Sequence, residues 1–130
     1  MSTMRAVTYS QVGPADSVLE VRHLPIPKPG PNQVRVRLAF SGINPTDVKT
    51  RAGLTPRDLA EFQIPHLDGS GVIDIVGANV DPSRIGERVW VMLASFDNVY
   101  GTAVWKVLEI RVRTPDRLCW ALCEWAREEE

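Results

Sequence analysis

Residues 41–53 hold the side chains of this chain that are best placed to do chemistry. They follow an alternating apolar run, residues 34–40, that predicts a β-strand with one buried face. Asn44 is a good helix N-cap, Pro45 suits the first helical position, and Asp47 lies where the helix dipole favours a negative charge. The start of this short helix would therefore present an amide and a carboxylate beside a sheet, as one half of an active site. The alternative is a capped connector between a strand and a loop.

The elements that must position these residues are short strands broken by turns. The predicted strands cover residues 5–10, 18–23, 33–40, 71–76 and 88–93. The first two flank a Gly-Pro turn and could pair as a hairpin. Arg51 and Gly53 mark the end of the short helix, and residues 55–62 favour a helical turn or a loop. This pattern predicts a mainly β protein with short helices, folded as a partly open β-barrel.

The composition is that of an ordinary globular domain. Of 130 residues, 44% are hydrophobic and 24% are charged, which suits one domain with one core. Lys and Arg number 15 and Asp and Glu number 16, so we expect neither nucleic acid nor a membrane as a partner. No apolar run reaches the roughly 20 residues that span a bilayer, and the N-terminus does not follow a signal-peptide pattern. These features predict a cytoplasmic protein.

The two cysteines, Cys119 and Cys123, are four residues apart on a predicted helix and would share one of its faces. A metal site or a redox pair is one interpretation of that spacing. No second ligand pair and no histidine lies near them in the sequence, so zinc is poorly supported. We expect two small buried apolar side chains, with neither a metal nor a disulfide.

The helix start carries a recognisable motif, Gly-Ile-Asn-Pro-Thr-Asp at residues 42–47, followed by Arg51 and Gly53. It resembles the signature of the quinone oxidoreductase (zeta-crystallin-like) branch of the medium-chain dehydrogenase/reductase superfamily. Further segments resemble this family in the right order, and they are residues 4–9, 25–34, 64–73, 76–77 and 85–90. The resemblance implies that residues 1–103 form a GroES-like domain of the alcohol dehydrogenase N-terminal type, which is a partly open β-barrel. The strand pattern predicts the same architecture.

The family pattern ends at about Val104. Relatives continue through a linker into a Rossmann domain, whereas residues 104–130 of this chain form a divergent tail. The tail has a predicted strand over residues 104–112 and a predicted helix over residues 117–130, with apolar residues on one helix face. Truncation, a shifted reading frame and altered splicing are all open as the origin of this ending.

Two positions argue against a catalytic zinc. Zinc-dependent relatives place a cysteine where this chain has Asn44 and a histidine where it has Leu67. Leucine has no donor atom, and a neutral amide is a poor substitute for a thiolate. The neighbouring His66 could enter the site only through a one-residue shift in alignment, and one histidine does not hold zinc. We therefore expect a zinc-independent protein.

The resemblance implies hydride transfer from NADPH to a quinone or another electron-poor alkene such as an enone, with the cofactor supplying the chemistry. It implies catalytic roles for Asn44 and Asp47, and cofactor binding by Asn44, Lys49 and Arg51. Asn44 would hydrogen-bond the cofactor ribose or the substrate carbonyl. Asp68 could orient neighbouring groups from the entrance of a strand. Each residue also has a structural interpretation, as a cap, a dipole partner, a turn residue or a surface ion pair.

The sequence contains no Gly-x-Gly-x-x-Gly motif that could cradle the phosphates of a dinucleotide. We therefore expect NADPH to bind this chain weakly, and whether the chain is an enzyme by itself stays open. The leading hypothesis is the substrate-side catalytic domain of a quinone oxidoreductase-like protein. The alternatives are an interaction module that binds a protein partner or a second copy through its uncovered face, and a truncated by-product without a role.

Overall fold

The computed structural model describes residues 2–55, 58–92, 101–102 and, for the backbone, 105–109. Strands are the main secondary structure of the described chain, together with two short helices and one 3-10 turn. The strands are β1 Thr3–Thr8, β2 Glu20–Pro25, β3 Gln33–Ser41, β4 Gly69–Val76, β5 Arg88–Val91 and β6 Trp105–Glu109. The helices are α1 Ala15–Val18 and α2 Pro45–Ala52, and the 3-10 turn is Pro82–Arg84. The mainly β class with short helices is confirmed.

The predicted hairpin is present, with a different connection. Strands β1 and β2 pair antiparallel, with Val7 opposite Val21. Alternate residues of β1 are buried, as one covered face requires. The expected turn is instead the single helical turn α1, which begins after Pro14 and in which Val18 is buried. The second strand therefore starts at Glu20, two residues later than predicted.

The second sheet holds four strands in the order β5-β4-β3-β6. Its β3 and β4 strands pair antiparallel, with irregularities at Arg35/Val36 and Leu38/Phe40. The core on this sheet is built from β-branched side chains, and Val36 and Ile73 are almost fully buried in it. Strand β6 lies within the predicted strand of residues 104–112 and pairs with β3. The predicted helix over residues 117–130 and both cysteines lie outside the described residues.

An ion pair ties the second sheet to the proline-rich connector before it. Arg35 on β3 donates to both carboxylate oxygens of Asp74 on β4, at 2.9 and 2.8 Å. The same guanidinium donates to the carbonyl of Pro27 at 3.3 Å. The proline-rich segment cannot supply many ladder donors of its own, so a side chain from the neighbouring strand holds it in place.

The described strands form two open sheets of two and four strands and do not close on themselves. Such an arrangement is compatible with the predicted partly open barrel. Within the described residues, no helix combines the length and the apolar character needed to cross a bilayer.

Candidate functional site

The site is built around the N-terminus of α2, where sequence and structure agree closely. Asn44 is the N-cap in extended conformation, Pro45 opens the helix, and Gly53 closes it in the left-handed conformation at φ 81°. Asn44 and Asp47 are arranged as a capping box, in which the Asp47 carboxylate accepts the backbone N–H of Asn44 at 2.7 Å. These contacts fix the Asn44 backbone at the end of β3.

The side-chain amide of Asn44 has a partner in the segment that leads into β4. Its Nδ2 donates to Oδ1 of Asp68 at 3.0 Å. The backbone N–H of Gly42 donates to the carbonyl of Asp68 at 2.9 Å, so both main chain and side chain join the end of β3 to the start of β4. A Cβ on Gly42 would lie 2.1 Å from Asp68 Oδ1, so only glycine leaves room for this carboxylate. The structure thus brings the predicted residues Asn44, Asp47 and Asp68 together.

A second polar cluster joins the end of β3, the segment before β4 and Thr102. The Ser41 hydroxyl is 2.7 Å from Nδ1 of His66 and 3.1 Å from the carbonyl oxygen of Thr102, and it also bonds the Thr102 hydroxyl. This cluster is not evident in the sequence, because His66 and Thr102 are 25 and 61 residues away from Ser41. The sequence suggested His66 only as a possible zinc ligand. No local sequence signal links these three residues.

The structure places Lys49 and Arg51 in the last turn of α2, at the opposite end of the helix from Asn44. Lys49 is exposed. The Arg51 guanidinium donates to the carbonyl of Gly13, and the Gly13 N–H donates back to the Arg51 carbonyl at 2.9 Å. Arg51 therefore holds the loop before α1 against the helix. A cofactor-binding role for Lys49 and Arg51 remains a prediction.

Large exposed apolar side chains lie close to the polar residues in the sequence. Phe40 and Ile43, which precede Ser41 and Asn44, are 74% and 73% exposed. Leu54, just beyond the C-terminal end of α2, is 76% exposed. An amide with exposed apolar residues next to it in the chain offers the groups that bind an aromatic or conjugated ligand with a carbonyl.

Metal ligands are not clustered in the part of the chain that the structure describes. There, no three His, Cys, Asp or Glu side chains lie close enough together to hold an ion. The Asn44 amide and the Asp68 carboxylate bind each other, and Leu67 offers no donor atom.

Comparison with known proteins gives consistent results. The sequence model of the alcohol dehydrogenase GroES-like domain matches residues 30–106. The "Probable quinone oxidoreductase" of Schizosaccharomyces pombe is 37% identical over 109 residues, which is 79% of this chain and 32% of that protein. The human synaptic vesicle membrane protein VAT-1 homolog is 34% identical over 90 residues, covering 68% of this chain and 23% of that protein. The quinone oxidoreductase structure from Coxiella burnetii superposes with a TM-score of 0.67 at 25% identity, over 84% of this chain and 35% of that one.

The chain belongs to the alcohol dehydrogenase GroES-like domain family. Within the medium-chain dehydrogenase/reductase superfamily it falls in the quinone oxidoreductase branch, as the motif at residues 42–47 predicted. The chain spans about a third or less of the length of these relatives.

Proposed function

We propose that this chain is the substrate-side catalytic domain of a zinc-independent, NADPH-dependent oxidoreductase that reduces quinones or enones. The observation that carries the proposal is the Asn44–Asp68 hydrogen bond, which orients a side-chain amide at the helix position that carries the family motif. The quinone oxidoreductases among its relatives support the substrate class. The domain boundary at residue 103 and the divergent tail belong to the same proposal.

In this proposal Asn44 is the residue that touches the ligand. An amide has two N–H donors and a carbonyl acceptor, and Asp68 occupies one of the donors. In the capping box the amide oxygen accepts from the backbone N–H of Asp47, so the second N–H is the group that can hydrogen-bond a ribose hydroxyl or a substrate carbonyl. Asp47 holds the Asn44 backbone through its 2.7 Å bond, and Asp68 sets the direction of the amide. The exposed side chains of Phe40 and Ile43, next to Ser41 and Asn44 in the chain, can contact the apolar part of a ligand in this proposal.

The residues present fit only one end of NADPH. Asn44 and its neighbours suit the nicotinamide end, where bound NADPH supplies the hydride. The pyrophosphate needs a glycine-rich loop before a helix, and the sequence contains no Gly-x-Gly-x-x-Gly. We expect this chain alone to bind NADPH with a dissociation constant of about 1 mM or weaker, which corresponds to about 4 kcal/mol. A nucleotide-binding domain has to supply the missing contacts.

An exchange of donor and acceptor tests the role of Asn44. The chain is fused to the Rossmann domain of a quinone oxidoreductase relative, and turnover and stability are measured for N44D and for N44D/D68N. N44D sets two carboxylates against each other and costs about 1–3 kcal/mol of stability. The double variant restores one N–H···O bond between the two positions and recovers that stability. We expect its turnover to stay at least about tenfold low, or about 1.4 kcal/mol, because the donor now sits at position 68.

Two controls accompany the exchange. D68N alone measures how much of the loss belongs to Asp68. N32D makes the same chemical change at an exposed asparagine whose Oδ1 accepts from Asn79 at 2.8 Å, and it should leave turnover unchanged. Full turnover in N44D/D68N would reduce Asn44 to a structural cap and contradict the proposed function.

A second candidate function is a non-catalytic interaction module. The observation that favours it is the exposure of three large apolar side chains, Phe40, Ile43 and Leu54, on either side of α2 in the chain, since exposed apolar surface marks contact sites. Size-exclusion chromatography with light scattering measures whether the chain self-associates. A monomer at low concentration that becomes a dimer at high concentration, and does so only with Phe40 intact, supports this candidate. A monomer at every concentration counts against it.

A further inference from the structure

The hydrogen bonds of Ser41 indicate which ring nitrogen of His66 carries the hydrogen. A serine hydroxyl has one proton to donate and can accept two hydrogen bonds. The Thr102 carbonyl oxygen, 3.1 Å away, can only accept, so Ser41 donates its proton there. The other two contacts, to His66 Nδ1 at 2.7 Å and to the Thr102 hydroxyl, must then be donated to Ser41. All three bonds form together only if Nδ1 of His66 carries a hydrogen.

This assignment leaves the other ring nitrogen of His66 available. Neutral imidazole has one N–H, and the hydrogen bond made by one nitrogen decides the state of the other. With Nδ1–H fixed, Nε2 is an acceptor in the neutral ring and a donor in the cation. Within residues 2–55, 58–92 and 101–102, the ring makes no hydrogen bond besides the one to Ser41. His66 is half-buried and Ser41 is exposed, so the cluster opens to solvent.

The backbone holds His66 in a conformation that bulky residues rarely adopt. Its φ is 73°, and among the described residues it is the only non-glycine with a positive φ. The loop is packed on Gly101, where a Cβ would lie 2.0 Å from the carbonyl oxygen of Pro65 and 2.6 Å from that of His66. Gly101 also donates its N–H to Ile64 at 3.2 Å. Left-handed backbone at a non-glycine residue is often retained where it positions a functional group.

We propose that His66 is a proton-donating residue for the carbonyl substrate and that Ser41 is its positioning residue. This inference rests on the proposed function and extends it. The same chain segments carry parts of both clusters: Ser41 is the last residue of β3 and Asn44 lies three residues later, while His66 and Asp68 are two apart before β4. The Asn44–Asp68 bond and the Ser41–His66 bond both cross between these segments.

The proton balance of the step is simple. A hydride from a reduced nicotinamide adds to the conjugated carbonyl system and leaves negative charge on the oxygen. The Nε2–H bond of the His66 cation breaks, and an O–H bond forms on that oxygen. The product is neutral His66 with its hydrogen on Nδ1, the form that Ser41 holds by accepting from it. Water then returns a proton to Nε2.

Nitrogen NMR of the 130-residue chain tests the tautomer. The two histidines, His23 and His66, are labelled with ¹⁵N and observed at about pH 8.5, well above the ordinary histidine pKa of about 6.5. Exposed His23 provides the internal reference. We expect the Nδ1–H form at His66 and its loss in Ser41→Ala. Ser17→Ala, the same change at an exposed serine, should leave His66 unchanged. The Nε2–H form in the unaltered chain, or no response to Ser41→Ala, would overturn the inference.

A ligand titration separates this inference from the proposed function. The probe is 4-nitrophenol, an ionisable phenol that resembles a hydroquinone, and its binding is followed through the Nε2 signal of His66 and the amide signals of Asn44 and Asp68. We expect His66→Asn to weaken binding by about three- to tenfold, the range for one hydrogen bond. Asparagine is chosen because it tolerates positive φ.

The outcomes of the titration are distinct. Equal affinity in His66→Asn, with the Asn44 and Asp68 amides still responding, would overturn the role of His66 and leave the proposed function standing. A probe that moves neither His66 nor those amides would contradict both. If His66→Asn does not fold, Ser41→Ala takes its place, with a weaker response at Nε2 as the expected result.

Discussion

Each end of α2 carries a polar residue of the family motif, Asn44 at the start and Arg51 in the last turn, and the two make different kinds of contact. At the N-terminal end, the Asn44 amide reaches across to Asp68, the residue before β4. At the C-terminal end, Arg51 exchanges two hydrogen bonds with Gly13, in the loop before α1. Both residues belong to the family motif, and each joins the helix to a segment that is distant in sequence.

The difference lies in what each residue has left to offer a ligand. Arg51 binds the Gly13 backbone with both its carbonyl and its guanidinium, so its described contacts hold a loop in place. A cap alone does not explain Asn44, because an aspartate caps as well but its carboxylate has no proton to donate to Asp68. The family motif therefore contains both residues that stabilise the helix and residues that can bind a ligand. The contacts that each residue makes outside the helix distinguish the two kinds.

The largest effect on stability is expected at Gly42. Replacing it by alanine puts a Cβ 2.1 Å from Asp68 Oδ1, so the carboxylate must turn away from Asn44. We expect a loss of about 2–3 kcal/mol in the free energy of unfolding, from crowding and from the broken hydrogen bond. Urea unfolding measures it.

A double-variant cycle provides the control for Gly42. Asp68→Ala removes the colliding group, so G42A should cost markedly less in that background. Equal costs in both backgrounds would show that Gly42 does not accommodate Asp68.

The next effect is expected at the C-cap. Gly53 has φ 81°, and a Cβ there would lie 3.1 Å from a methyl group of Val12. Alanine at this position should cost about 1–2 kcal/mol from the left-handed backbone, and more from the contact with Val12. Gly86, with φ 93° and open space around its missing Cβ, is the matched control. If G53A costs no more than G86A in urea unfolding, packing on Val12 contributes nothing to the cap.

Much of this helix could be predicted from sequence because its signals are local. An asparagine followed by a proline, and a glycine eight residues later, define both caps of α2 without reference to the rest of the chain. The start of β2 was placed two residues early, because the sequence pattern did not distinguish a turn from the single helical turn that buries Val18.

The Ser41–His66–Thr102 cluster could not be predicted in this way. It depends on how β3 pairs with β4 and on where the chain returns at residues 101–102. Neither the pairing register nor that return is encoded within a few residues. The Asn44–Asp68 hydrogen bond could not be predicted either. The family resemblance pointed to both residues but not to the bond between them.

A smaller effect is expected at Arg51. Replacing it by alanine removes the guanidinium bond to the Gly13 carbonyl and leaves the backbone bond at 2.9 Å in place. If the contact with Gly13 is the whole role of Arg51, the free energy of unfolding falls by about 1 kcal/mol and the NADPH affinity of the fused protein is unchanged. Fluorescence titration of NADPH measures that affinity. A tenfold weaker affinity with unchanged stability would instead assign Arg51 to the cofactor, as the family resemblance implies.

The smallest effect is expected at Asp81, a cap that the proposed site does not use. Asp81 precedes the 3-10 turn, and the backbone N–H of Ser83 donates to its carboxylate at 2.9 Å. This bond, with help from the Ser83 side chain and Arg84, lowers the pKa of Asp81. A lowered pKa in the folded state means that the cap stabilises the fold above the ordinary aspartate pKa of about 3.9. That stability is lost as the pH falls through the folded pKa.

Substitution by asparagine isolates the contribution of this carboxylate. Asp81→Asn keeps an oxygen for Ser83 but cannot titrate, so the difference in urea midpoint between D81N and the unaltered chain should shrink as the pH drops below about 3.9. A difference that stays constant between neutral pH and pH 3 would show that ionisation of Asp81 does not support the turn. Because Asp81 is exposed, the change should be the smallest of the four. The change at Asp81 measures how much a cap contributes to stability when it supports only its own turn. It is the reference for the larger loss of stability expected at Gly42.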